Sequence, residues 1–155
     1  SIAVSKLGKT SIHFVNPGVK INGEYYRNSL LAKMIPEMKA LASGQYFLFQ
    51  QDGARAHTAK DTVAYLNEQV PEIILPRDWP ANSPDLNPLD FSIWGNLSQR
   101  VYRGRKIKDV TELKNVLIQE WSNLPQNEID LAIEQFRPRL RKVIEMEGKH
   151  IEQFF

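Results

Sequence analysis

The sequence predicts an α/β fold of three layers, in which a mixed central sheet is flanked by helices. Short apolar or β-branched runs alternate with segments of helical periodicity, in the order β-β-α-β-α-β-α-α-α. Two of the apolar runs lead directly into or out of helices, as strands of a parallel sheet do. The chain has 155 residues, of which 42% are hydrophobic and 25% are charged, so one well-packed globular domain is expected.

The first predicted elements are a hairpin and a long helix. Residues 2–5 and 11–15 are short and rich in β-branched side chains, and the intervening turn contains Gly8. Residues 23–42 carry apolar side chains at helical spacing. Pro36 lies inside this segment and lacks the amide donor that a helix needs, so we expect it to kink or divide the helix.

Buried strands are predicted next, at residues 46–50 and 73–75, because both are compact apolar runs. Between them Thr58 is a suitable N-cap for a helix that Pro71 would end. Ligands and catalytic groups of such sheets collect at the carboxyl ends of the strands. Asp52 directly follows the first of these strands and is therefore a candidate functional residue.

A proline-rich loop at residues 78–88 precedes the three last helices. Asn87 is a suitable N-cap for the first of them, and Pro88 suits its first helical position. The other two helices are predicted at residues 110–123 and 127–153 from their apolar spacing.

The same loop region supplies two more acids, and each has an explanation that requires no function. Asp85 follows a Ser-Pro pair and is explained as a turn residue that binds nearby amides. Asp90 occupies the third helical position, where the helix dipole favours a carboxylate, so a capping role would account for it. Asp52 could likewise be an acid at a strand end that binds loop amides.

Taken as a pair, Asp52 and Asp90 point to a metal site. Two carboxylates a few ångströms apart do not both ionise comfortably without a cation. Oxygen ligands favour Mg²⁺ or Mn²⁺ over zinc. Two such ions about 4 Å apart can hold the attacking and leaving oxygens of a phosphoryl transfer.

Composition limits the other classes of function. No apolar run approaches the roughly 20 residues of a bilayer span, and the absence of cysteine excludes disulfides and thiolate metal sites. The net charge of +2 does not by itself indicate nucleic acid. Five cations nevertheless cluster within nine residues: Arg100, Arg103, Arg105, Lys106 and Lys108. This cluster is compatible with phosphate contacts and with a solvated linker between helices.

Two motifs resemble a known family. The segments QQDGARAHTA, at residues 50–59, and WPANSPDLNPLDFSIWG, at residues 79–95, together resemble the catalytic domain of mariner-type transposases of the Tc/mariner superfamily. The resemblance runs from the first residue to RPRLRKVIEMEG near the end of the chain. It implies a ribonuclease H-like three-layer fold and a metal triad of Asp-Asp-Asp or Asp-Asp-Glu type.

By this resemblance Asp52 is the second triad acid and Asp90 the third, and Asp85 matches no ligand. The 37 residues between Asp52 and Asp90 resemble the Asp-Asp-37-Asp branch. Gly53 would let the backbone leave the metal site without crowding it. In the family the first triad aspartate lies on a strand just before the opening hairpin. We therefore expect residues 1–155 to be an N-terminally truncated catalytic domain that lacks this strand and the helix-turn-helix DNA-binding domains.

The resemblance also implies the reaction and its partners. It implies a cut-and-paste transposase that uses two Mg²⁺ or Mn²⁺ ions and acts on DNA as a homodimer. The protein would work in the nucleus and would not bind a membrane. A metal-activated water would cut transposon ends, and the freed 3′-hydroxyl would attack target DNA. Arg55 and His57 join the five clustered cations as candidate DNA contacts, although a loop role in orienting the backbone is open for His57.

Two other functions remain open at this point. The chain could be a domesticated or decayed transposase remnant that binds DNA or protein without catalysis. A third and weaker possibility is another ribonuclease H-like nuclease, against which the SPDLNP segment argues.

Overall fold

The computed structural model describes residues 1–155 and contains eight α-helices and four strands of two residues each. The strands form two separate two-stranded sheets, so the single mixed central sheet expected from the sequence is not seen. The chain divides into two compact units, one of Ser1–Ala3 with Leu7–Asn82 and one of Val4–Lys6 with Ser83–Phe155. None of the helices has the length and apolar character required to cross a bilayer.

The opening hairpin is shorter than predicted. Its strands are β1 (Val4–Ser5) and β2 (Gly8–Lys9), so residues 11–15 do not form the second strand. Contacts between the two segments continue beyond these strands, because the Thr10 amide donates to the Ala3 carbonyl at 3.0 Å and the Thr10 hydroxyl accepts the Ala3 amide at 2.9 Å. Gly8 belongs to β2, where its φ of 141° favours glycine, and a Cβ added there would displace the end of the Leu41 side chain.

The long helix predicted at residues 23–42 is present in three parts: α1 (Gly23–Tyr25), a π-helical segment (Tyr26–Leu31) and α2 (Ala32–Ala42). Asn22 caps the start, accepting the amide of Tyr25 at 2.8 Å. Pro36 lies within α2 and does not divide it. The irregular turn falls before Ala32 instead, and π-helical turns of this kind occur often at functional sites.

The rest of the first unit contains β3 (Leu48–Phe49), α3 (Arg55–Thr58), α4 (Lys60–Gln69) and β4 (Glu72–Ile73). The predicted parallel pairing is confirmed, with Phe49 opposite Ile73. Thr58 is not an N-cap, because it ends α3 and its hydroxyl donates to the Ala54 carbonyl. Leu31 and Leu66 are fully buried in the core of this unit.

The second unit contains a π-helical segment (Leu89–Ile93) followed by α5 (Trp94–Tyr102), α6 (Val110–Asn123), α7 (Gln126–Glu134) and α8 (Phe136–Glu145). The bounds predicted for α6 are confirmed. The single helix predicted at residues 127–153 is wrong. Pro138 has no amide hydrogen and fits only the first turn of a helix, so α8 begins anew just before it. Glu147 and Gly148 then take positive φ angles and end α8.

Candidate active site

Asp52 lies just beyond the end of β3, and its carboxylate is held on one side. Oδ1 accepts the Ala54 amide at 2.9 Å, in a tight turn that the aspartate closes on itself. The same oxygen lies 2.6 Å from Nδ1 of His57, a residue of α3. Both contacts fall on Oδ1, and the Asp52 side chain is 48% exposed. Oδ2 is therefore the oxygen left for a ligand.

His57 is itself fixed by two residues that the sequence did not single out. Its ring stacks on Tyr26, with 4.2 Å between the ring centroids. Gln51 donates from Nε2 to the His57 carbonyl at 3.0 Å. The Tyr26 hydroxyl donates in turn to Oε1 of Gln51 at 3.2 Å. These contacts make the segment around Asp52 a connected network within the first unit.

The Tyr26 hydroxyl remains protonated in this network. Burial raises the pKa of Tyr26 well above its ordinary value, and the negative charge of Asp52 adds to the shift. A protonated hydroxyl is the form that can donate to Gln51, so the shift extends this contact into the alkaline range.

A first prediction concerns stability at alkaline pH. Above pH 10 the folded chain keeps the Tyr26 proton while the unfolded chain loses it. The free energy of unfolding should therefore fall as pH rises, by up to about 1.4 kcal/mol per pH unit from this group. In Tyr26→Phe that component of the slope should be absent. Urea unfolding between pH 9 and 11 measures it, and Tyr46→Phe, at an exposed tyrosine, should keep the slope of the wild type.

The role expected for Gly53 toward a metal stays a prediction. A Cβ added there would meet no atom within 4 Å, and its φ lies outside the left-handed region. The fold of this chain therefore does not require glycine at the position. Arg55, two residues further on, is exposed and makes no ion pair, so its contact with DNA stays a prediction.

Asp90 occupies the helical position that the sequence indicated. Asn87 accepts the Leu89 amide at 3.1 Å through Oδ1, as an N-cap does. The same side chain donates from Nδ2 to Oδ2 of Asp90 at 2.9 Å. Asp90 is exposed and lies in the π-helical segment that precedes α5. The observed contact with Asn87 is that of a helix-start acid, and cation binding by the exposed carboxylate stays a prediction.

Asp85 is buried, and the local turn explanation for it is wrong. Its Oδ2 accepts the amide of Ile151 at 2.8 Å, and its backbone carbonyl accepts from Arg139 at 3.2 Å. The Arg139 guanidinium lies between the rings of Phe91 and Phe155, at 3.8 and 4.4 Å from their centroids. Burial lowers the pKa of Arg139, and the negative charge of Asp85 acts against that shift. Asp85 thus ties the last residues of the chain to the segment that carries Asp90.

The cations of residues 100–108 fall into two groups. Arg100 pairs with Glu128, and Arg105 pairs with Glu120 at 2.7 Å while also donating to the Arg100 carbonyl. The other three are exposed and make no ion pair: Arg103, Lys106 and Lys108. The second group keeps its charge available for phosphates, so the predicted DNA contact rests mainly on these three side chains.

The donor chemistry fits a divalent cation only in part. Asp52 and Asp90 offer carboxylate oxygens, the ligands that Mg²⁺ and Mn²⁺ prefer. The structure contains no group of three or more His, Asp or Glu side chains placed to hold a metal ion. These two acids are therefore candidates for part of a ligand set.

Solved structures define the class of fold. The catalytic domain of the Mos1 mariner transposase matches with a TM-score of 0.80 and 18% identity, over 97% of this chain and 74% of that one. A Mos1 paired-end complex with Mn matches with a TM-score of 0.75 and 21% identity, over 94% of this chain and 42% of that one. Mos1 catalytic domains have also been solved with raltegravir and Mn or Mg. The chain therefore has the ribonuclease H-like fold of a transposase catalytic domain.

Sequence relatives make the class more specific. The Tc3 transposase of Caenorhabditis elegans is 31% identical over 150 residues, which are 96% of this chain and 44% of the relative. The Tcb2 transposase of Caenorhabditis briggsae is 30% identical over 105 residues, which are 68% of this chain and 37% of the relative. The chain thus spans less than half the length of these relatives. No protein-family model matches it. Together the sequence and fold comparisons support a Tc1/mariner-type transposase catalytic domain.

Proposed function

We propose that this chain is the catalytic core of a cut-and-paste DNA transposase of the Asp-Asp-37-Asp branch, which cleaves DNA and transfers strands with the help of metal ions. The observation that carries the proposal is the Asp52 carboxylate, which lies just beyond β3 with Oδ1 held by Ala54 and His57. The Tc3 similarity and the fold shared with Mos1 support the same conclusion.

Asp52 and Asp90 would be the second and third acids of the triad and would hold the metal. A bound pair of Mg²⁺ or Mn²⁺ ions supplies the charge neutralisation that phosphoryl transfer requires. The chain's own contribution is to fix two carboxylates: Ala54 and His57 fix Asp52, and Asn87 fixes Asp90.

No acid ahead of Asp52 replaces the first member of the triad. Glu37 is engaged elsewhere, because it accepts the Ser11 amide at 2.6 Å and pairs with His13 at 3.0 Å. Glu24 lies at the start of the long helix, as an exposed side chain of α1. Neither glutamate is therefore proposed as the first acid. Action on DNA ends as a homodimer in the nucleus is proposed for the whole protein, since this chain spans less than half the length of the transposases that it matches.

Nicking of a labelled transposon-end duplex in Mg²⁺ tests this proposal. The protein made from the complete open reading frame should cleave it. Residues 1–155 alone should not, because a two-ion site needs the first triad acid in addition to Asp52 and Asp90. Robust metal-dependent cleavage by the 155-residue chain would overturn the proposed triad.

A further prediction concerns DNA contacts. Replacing Arg103 and Lys106 by alanine should weaken binding to unrelated duplexes alike, because phosphate contacts carry little sequence information. Each lost contact should flatten the slope of log K against log salt by about 0.9. Arg105→Ala is the matched control, since Arg105 is already paired with Glu120 and its loss should lower stability more than the slope. An unchanged slope in the double variant would assign these cations to ordinary surface.

The alternative function, a non-catalytic remnant, has one supporting observation. A human protein named histone-lysine N-methyltransferase SETMAR is 26% identical to this chain over 156 residues, which are only 22% of that protein. A segment of this kind thus occurs inside a protein named for another activity. Binding of transposon-end DNA without any nicking by the complete protein would favour this alternative.

A further inference from the structure

His57 points inward, although the sequence indicated a possible DNA contact. Its side chain is only 22% exposed, and Nδ1 is engaged by Oδ1 of Asp52 at 2.6 Å. One face of the ring is covered by Tyr26. A ring held in this way is poorly placed to reach a phosphate, and its most direct effect is on the Asp52 carboxylate.

We propose that His57 is a positioning residue for the metal: its Nδ1–H holds Oδ1 of Asp52, so that Oδ2 is the oxygen presented to a divalent cation. This inference rests on the proposed metal role of Asp52. Groups that hydrogen-bond to a metal ligand fix its orientation, and their loss typically costs about 10- to 100-fold in metal affinity or activity.

The surroundings of His57 fix the ring as well as the carboxylate. The Gln51 side chain holds the backbone of His57 through its carbonyl, and the Tyr26 ring limits rotation of the imidazole. The terminal torsion of an aspartate is otherwise broad. The Ala54 amide is a second donor to Oδ1, but it acts from a single direction. Without His57 the two carboxylate oxygens would exchange places more readily, and Oδ2 would lose its fixed direction.

A purely structural role for His57 would depend on the ring that packs against Tyr26, whereas positioning depends on the N–H group. Two substitutions separate these effects. His57→Phe keeps an aromatic ring for Tyr26 and removes the donor. His57→Asn removes the ring and keeps an N–H group close to the place of Nδ1. Positioning and packing therefore predict opposite orders for the two variants.

The experiment measures Mn²⁺ affinity from paramagnetic broadening of the amide signals of residues 50–57 in the 155-residue chain. We expect His57→Phe to bind Mn²⁺ about 10- to 100-fold more weakly than the wild type, with a melting temperature near that of the wild type. His57→Asn should melt earlier and keep an affinity within about threefold of the wild type, because a donor remains. In the wild type, imidazole ¹⁵N shifts in Mg²⁺ should show a protonated Nδ1.

Each other outcome is decisive in a different way. Wild-type affinity in His57→Phe, together with loss of binding in Asp52→Ala, would overturn the positioning role and leave the proposed function intact. Equal affinity in Asp52→Ala and the wild type, or no broadening near Asp52 at all, would overturn the metal role of Asp52 and this inference with it. A His57→Asn variant that binds Mn²⁺ more weakly than His57→Phe would assign the effect to ring packing and overturn the positioning role.

Discussion

Asp52→Ala and Asp90→Ala, each introduced into the complete protein, are expected to reduce nicking of a transposon-end duplex by at least about 10³-fold. A metal site supplies several kcal/mol of charge stabilisation to a transferring phosphoryl group, and about 1.4 kcal/mol corresponds to a tenfold change in rate. Removing a ligand carboxylate should forfeit most of that contribution. Single-turnover nicking in Mg²⁺ measures the loss, and circular dichroism shows whether each variant is folded.

Asp78→Ala is the matched control for these substitutions. Asp78 is an exposed acid at the start of the same proline-rich loop and pairs only with its neighbour Arg77, at 3.8 Å. Exposed pairs of this kind contribute little, so the control should cleave at nearly the wild-type rate. Full activity of Asp90→Ala would contradict the triad and leave Asp90 with the capping role that its contact with Asn87 already shows.

The second large effect is expected at Asp85, on stability. Asp85→Ala should lower the free energy of unfolding by about 3 kcal/mol, because it leaves the Ile151 amide buried without its acceptor and removes the larger of two negative charges acting on buried Arg139. Urea unfolding of the 155-residue chain measures the change. Asp90→Ala, at an exposed acid of the same segment, should cost less, because its helix-start contact with Asn87 is worth about 1 kcal/mol.

A loss below about 1 kcal/mol in Asp85→Ala would contradict the anchoring role. It would mean that the segment around Ile151 contributes little to the fold. In that case the contacts of Arg139 with Phe91, Phe155 and the backbone carbonyl of residue 85 would hold this region.

Elements that local patterns determine were predictable from the sequence. The bounds of α6 and the parallel pairing of β3 with β4 follow from apolar runs bounded by polar residues. The Asn87 cap follows from a short-range rule that depends on two or three residues. The break between α7 and α8 could also have been predicted, because Pro138 cannot occupy a helix interior. The continuous helical spacing of the apolar residues favoured a single helix instead.

Other features depend on contacts between residues far apart in the chain. Asp85 binds Ile151, 66 residues away, and no spacing rule indicates such a partner. Tyr26 supports the site from a π-helical segment that precedes Asp52 by two elements. The contact of His57 with Asp52 spans only five residues, so the tight turn around Gly53 was a usable signal for it.

Anomalous diffraction from crystals grown with Mn²⁺ tests most directly the proposal that Asp52 and Asp90 hold the catalytic metal. We expect an anomalous peak at direct coordination distance from Oδ2 of Asp52 and from a carboxylate oxygen of Asp90. Oδ1 of Asp52 should still be bound by His57. Asp52→Ala crystals grown in the same way should lack the peak. A Mn²⁺ ion bound only elsewhere on the chain, or one that persists in Asp52→Ala, would contradict the proposed metal role of Asp52 and Asp90.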